Sequence, residues 1–142
     1  MSLQDGTKKM SKSDASEISR INLNDSADEI LKKVKKSKTD SLNFIAYDEN
    51  RHEIYNLLNI FSSLTNQPPA SIAKQYETAG YGKFKQDLAD AIIANIEPIS
   101  KKITHYLNEK NHLNLIIKEG HDFASEIANA NLQEIYKILG LK

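Results

Sequence analysis

Apolar residues recur at helical spacing along most of this chain, and residues 1–25 are the exception. There they stand singly, at Leu3, Met10, Ile18, Ile21 and Leu23, among serines, lysines, asparagines and aspartates. The alternation from Ile18 to Leu23 would suit a short strand, but no partner strand is in sight. This stretch is expected to be an irregular connector whose packing surface lies elsewhere.

From Ser26 the period becomes helical. Ser26 and Glu29 have the spacing of a capping box, in which each side chain satisfies the other's backbone N–H. A short helix to about Ser37 should follow, with Ile30, Leu31 and Val34 inward. Residues 38–50 lack periodicity and read as a loop. Asn50 and Glu53 repeat the capping spacing ahead of Ile54, Leu57, Leu58, Phe61 and Leu64, an amphipathic stripe. Pro68 and Pro69 suit the start of a further helix, Ala70 to about Thr78. Gly80-Tyr81-Gly82 breaks the pattern. A long helix then carries Phe84, Leu88, Ile92, Ile96, Ile99, Ile103 and Leu107, with Pro98 expected to kink it. The last helix should run from about Leu113 to Leu139 and end at Gly140. Its inner face would be Leu113, Ile116, Ile117, Gly120, Ala124, Ile127, Ala128, Asn131, Ile135 and Ile138. The predicted fold is all-α: an antiparallel helical bundle over 26–142, preceded by an irregular loop and linker over 1–25.

Composition narrows the options. With 142 residues, 39% hydrophobic and 27% charged, the chain can bury one core. Nineteen basic residues balance nineteen acidic ones, so any polyanion contact must come from a local patch. The absence of cysteine removes disulfides, Cys-based zinc sites and thiol nucleophiles. No apolar run approaches the roughly 18 residues of a membrane span, and the N-terminus has no apolar signal core. A soluble, cytoplasmic protein without membrane contact is expected.

Candidate chemistry concentrates at Lys9-Met10-Ser11-Lys12-Ser13. Lys9 and Lys12 offer two ammonium groups on flexible stems. Ser11 and Ser13 are small enough for backbone N–H groups to approach a phosphate, and their hydroxyls can donate as well. Met10 gives the loop an apolar foot. Such a loop suits a phosphate chain, whose developing charge fixed cations and donors can stabilise.

The whole stretch Met1–Asp14 resembles the phosphate loop of the class I aminoacyl-tRNA synthetases, in the form found in tryptophanyl-tRNA synthetases. Further windows resemble the same family in the same order. These are Ile21–Asp25, Ile30–Val34 and Thr39-Asp40; then Asn56–Ile60; then Gln75–Glu77, Gly80–Lys85, Asp87–Ala89 and Pro98-Ile99. Gly6, and commonly Ala15, stand where the family has proline, which is expected to loosen the loop backbone.

The resemblance implies the C-terminal part of a tryptophan–tRNA ligase. Lys9 and Lys12 become the catalytic, phosphate-contacting lysines, and Lys9–Ser13 the ATP-binding segment. Mg2+ enters with the nucleotide, and no protein-bound metal is expected. Residues 26–142 become a helical domain of the anticodon-binding type for tryptophan-specific tRNA, and the full enzyme is expected to be a homodimer. Tryptophan and ATP would be held largely by an N-terminal dinucleotide-type domain. Neither the paired histidines nor the Gly-rich turn of such a domain is present: His52, His105, His112 and His121 stand in other contexts. This chain alone is therefore expected to be inactive. A tyrosyl-type fragment and a non-catalytic helical RNA-binding module are the alternatives, with a helical interaction protein a third.

Lesser candidates have plainer readings. Lys32, Lys33, Lys35, Lys36 and Lys38 read as a solvated helix end, with tRNA phosphate contact the alternative. Tyr76, Tyr81 and Phe84 read as hinge or core packing rather than base-stacking surfaces. His105 and His112, two turns apart, could share a helix face, as surface residues. Asp87, Asp90 and Glu97 read as the wet face of the long helix.

Overall fold

The computed structural model describes residues 1–141. Five α-helices follow one another: α1 Ala27–Lys35, α2 His52–Thr65, α3 Pro69–Gln75, α4 Gly80–Asn108 and α5 Lys110–Leu139. A 3₁₀ turn over Glu17–Ser19 precedes them, and no strand occurs among the described residues, so the all-α class is observed. The chain divides into two compact units, one of Met1–Lys101 and one from Lys102 onward, with the boundary inside α4.

The first unit holds the core. Ile30, Val34, Ile54, Leu57, Leu58, Ile72, Phe84, Leu88 and Ile92 are all buried, as their helical spacing requires. The Phe84 ring lies 5.9 Å from Phe61 and 5.4 Å from Tyr76, edge-on to the latter. Two buried members come from irregular segments: Leu3, only 2% exposed, and Ile45. Met10 and Ile21 pack against the same cluster. The expectation that the N-terminal stretch packs elsewhere is thus corrected. Isolated apolar residues carry no period, so the pattern could not reveal their burial.

Helix ends follow local chemistry. At α1 both halves of the Ser26–Glu29 capping box are present. Carbonyls at and just past its C-terminus are met from α4: Lys85 Nζ donates to Ser37 O at 2.6 Å and to Lys35 O at 3.3 Å. Such carbonyls lack intrahelical partners and would be costly to bury alone. The expected second capping box does not form. Arg51 is the N-cap of α2 and makes no side-chain cap, while Asn50 Nδ2 turns back to donate to Asp48 Oδ1 at 3.0 Å. Helix α3 is shorter than expected, ending at Gln75, and α4 continues through Pro98 to Asn108.

In the second unit, α5 ends at Gly140 in the left-handed conformation (φ 67°), as anticipated. Its stripe is not an inner face, however. No residue of α5 is buried, and Ile116, Ile117, Ile127, Ile135 and Ile138 are exposed. Periodicity tells which residues share a face; it does not say whether anything covers that face.

Candidate phosphate loop

The Lys9–Ser13 segment is the tip of an excursion whose two arms are tied together at the base. On the incoming arm, Ser2 N–H donates to Lys8 O at 2.8 Å and Leu3 N–H donates to Ser19 O at 2.9 Å, on the outgoing arm. Leu3 O accepts from Lys38 N–H at 2.8 Å, which joins the base to the chain just after α1. From α2, Asn56 Nδ2 donates to Ser2 O at 3.0 Å and Met1 O at 3.3 Å. Asn56 is buried, and its position at the base of the loop has no counterpart in the periodic pattern.

Tight turns shape the interior. Asp5 Oδ1 accepts from Thr7 N–H at 3.1 Å and Thr7 Oγ1–H at 2.6 Å, an Asx turn. These bonds hold the Asp5 carboxyl down at about 2. Ser11 and Ser13 hydroxyls lie 3.1 Å apart, and Asp14 N–H points to Ser11 O at 3.4 Å. Gly6 is not the loosening expected of it. A Cβ there would sit 2.2 Å from the His52 carbonyl oxygen and 2.9 Å from Glu53 N, so the glycine marks a close approach to the start of α2.

Charge is distributed unevenly over the loop. Lys8 pairs with Asp5 at 3.3 Å. Lys9 and Lys12 are exposed and form no ion pair with the described residues. Ser11 and Ser13 are exposed beside them, while Met10 is half-buried against the core. The arrangement presents two ammonium groups and two hydroxyls on a short segment with fixed ends, a combination suited to a phosphate chain.

The other candidates disperse. Lys33 is buried and paired with Asp25 at 2.6 Å, and Lys38 pairs with Glu53 at 2.8 Å. Lys32, Lys35 and Lys36 remain exposed at the end of α1. Tyr76 donates to Asp87 at 2.8 Å and Phe84 is fully buried, in keeping with packing. Asp87 also pairs with Lys83, Asp90 accepts from Gln86, and Glu97 pairs with Lys101, all near the surface. His105 and His112 lie on different helices, not one face. Both flank Tyr106, whose ring is 5.5 Å from His105 and 6.1 Å from His112.

Sequence reasoning missed a second cluster. Arg51 meets Asp40 in a fork, donates to Phe44 O at 2.8 Å, and lies 4.5 Å from the centre of the Phe44 ring. Tyr81 also donates to Asp40. Desolvation and the Asp40 carboxylate push the Tyr81 phenol up to about 12. Partners 11 and 41 residues apart leave no periodic signal.

Residues 1–97 match the family described as tRNA synthetases class I (W and Y). The tryptophan–tRNA ligase of Rickettsia conorii is 47% identical over 141 residues, 99% of this chain and 43% of that protein. The same enzyme of Thermosynechococcus vestitus is 44% identical over the same shares. Among solved structures, tryptophanyl-tRNA synthetase from Campylobacter jejuni superposes with a TM-score of 0.74 at 26% identity. That match covers 99% of this chain and 44% of the other. The chain thus spans less than half the length of the curated relatives it matches.

Proposed function

The chain belongs to the class I tRNA synthetases of the tryptophan and tyrosine group, and from that premise we propose that it acts as the C-terminal part of a tryptophan–tRNA ligase. In this reading it contributes the ATP-phosphate loop, within residues 1–25, and a helical tRNA-binding domain over 26–142. The carrying observation is that Lys9 and Lys12 stand exposed and unpaired at the tip of a loop whose base is bonded to the core through Leu3 and Asn56. Tryptophan rather than tyrosine is favoured because the relatives at 44–47% identity are tryptophan–tRNA ligases.

The reaction then runs in two steps. The tryptophan carboxylate attacks the α-phosphorus of Mg2+-ATP, and pyrophosphate leaves from the same phosphorus. Negative charge grows on the leaving phosphate oxygens, where Lys9 and Lys12 place their ammonium groups. A ribose hydroxyl at the tRNA 3′ end next attacks the carbonyl carbon of the adenylate and releases AMP. The pocket for tryptophan and adenine belongs to a nucleotide-binding domain outside these residues, and the full enzyme is a cytoplasmic homodimer.

Complementation tests this. The chain is combined with a nucleotide-binding domain from a relative, and tryptophan-dependent exchange of pyrophosphate into ATP is measured. Exchange should appear only in the combination. Lys12→Ala should slow it by about a hundredfold, the scale for removing one transition-state donor, with tryptophan affinity little changed. Exchange by the chain alone, or an unaltered rate in the Lys12 variant, would refute the assignment.

A further inference from the structure

The outgoing arm of the loop is held by a cation for which the chemistry above has no role. Arg20 is only 8% exposed. Its Nη1 donates to the carbonyl oxygens of Asp14 at 2.9 Å and Ser16 at 3.4 Å, and its Nη2 to the Glu17 carboxylate. Its Nε donates to Asn22 Oδ1 at 3.3 Å. Three of these four acceptors lie at positions 14–17, just after the tip. Asp14 Oδ1 accepts from Ser16 N–H at 2.8 Å, closing a turn over the same residues. Ser19, adjacent to Arg20, accepts from Leu3 in the core.

One guanidinium therefore connects the tip to the core-anchored base. A planar fork can meet several acceptors at once, which a lysine ammonium on a flexible stem does less rigidly. We propose that Arg20 is a positioning residue for nucleotide phosphate: it fixes the Asp14–Ser16 turn, and so sets where Lys12 and the Ser11–Ser13 amides meet the phosphate chain. It acts through the loop and not on the phosphate itself. The inference rests on the phosphate-loop reading, and its test separates the two.

Amide hydrogen exchange and amide chemical shifts of the 142-residue chain are followed in its combination with the nucleotide-binding domain of a relative, with Mg2+-ATP at millimolar concentration as the probe. Arg20→Ala should speed exchange at Asp14, Ser16 and Ser19 by about tenfold or more, while Leu57 and Leu88 in the core change less than about twofold. The ATP concentration that half-saturates the shifts of Lys9–Ser13 should rise by about tenfold, with Arg20→Lys falling between. Unchanged loop exchange in Arg20→Ala would overturn the proposal. So would loop and core exchange rising together in both variants, because Arg20 would then be a general stabiliser. Wild-type loop shifts that ignore ATP, with the exchange pattern as expected, would sink the phosphate-loop reading and leave Arg20's hold on the turn standing.

Discussion

Arg51 and Asp40 form a two-pronged ion pair, Nε to Oδ2 at 2.8 Å and Nη2 to Oδ1 at 3.0 Å, that ties the loop before α2 to that helix's N-cap. The guanidinium is mostly enclosed, so the pair is geometrically fixed rather than a fluctuating surface contact. The Arg51 bonds hold the Asp40 carboxyl at about 2, against an ordinary 3.8. A carboxyl lowered by folding contributes stability that is present above its unfolded value and lost as pH falls through the folded one. Unfolding by urea should therefore need less denaturant as pH drops from about 4 to 2. Asp40→Asn should flatten part of that dependence, the share left by Asp5 and Asp25 persisting, while lowering stability at pH 7.

Asp25 and Lys33 form a pair in which both side chains are 8% exposed. Burial raises the Asp25 carboxyl, but the bonds from Lys33 and Asn22 outweigh it and hold the group below its usual value. Asp25→Ala strands a buried ammonium and should cost about 3 kcal/mol in equilibrium unfolding. Adding Lys33→Met to that variant should recover a large part of the loss. No recovery would mean that the two side chains act separately.

Gly6 faces the His52 carbonyl so closely that even a methyl group must displace something. Because the neighbour is backbone, no side-chain rotation relieves the clash. Gly6→Ala should destabilise the chain by about 1–3 kcal/mol, the range for overpacking. It should also speed amide exchange at the start of α2. A thermal midpoint equal to wild type would show that the loop base yields freely.

Protection from exchange should differ sharply between the units. Leu57 and Leu58 in α2 are almost wholly buried, whereas α5 has no buried residue. Opening of α5 exposes little additional apolar surface, so its amides should exchange roughly a hundredfold faster than those of α2. Equal protection at Ile127 and Leu58 would contradict the exposure seen for α5.

Short-range pattern was enough for the helical class, the capping box at Ser26, the Gly140 stop and most buried apolar positions of α1, α2 and the first half of α4. Each depends on residues a few positions apart, and short-range periodicity records that distance. The phosphate-loop candidate was legible too, because five consecutive residues carry its chemistry. Tertiary structure alone decided how the loop is held. Leu3 enters the core from an irregular segment, while Asn56 on the Ser2 carbonyl and Gly6 against His52 join residues roughly fifty positions apart. It also decided that α5 keeps its apolar stripe exposed, since a repeat of 3.6 residues defines a face but not its neighbour. Lys9–Ser13 announces itself in the chain; Arg20, Asn56 and Gly6 acquire their positions around it only when distant segments meet, because close packing and buried hydrogen bonds depend on proximity in space and leave no mark at any fixed spacing in sequence.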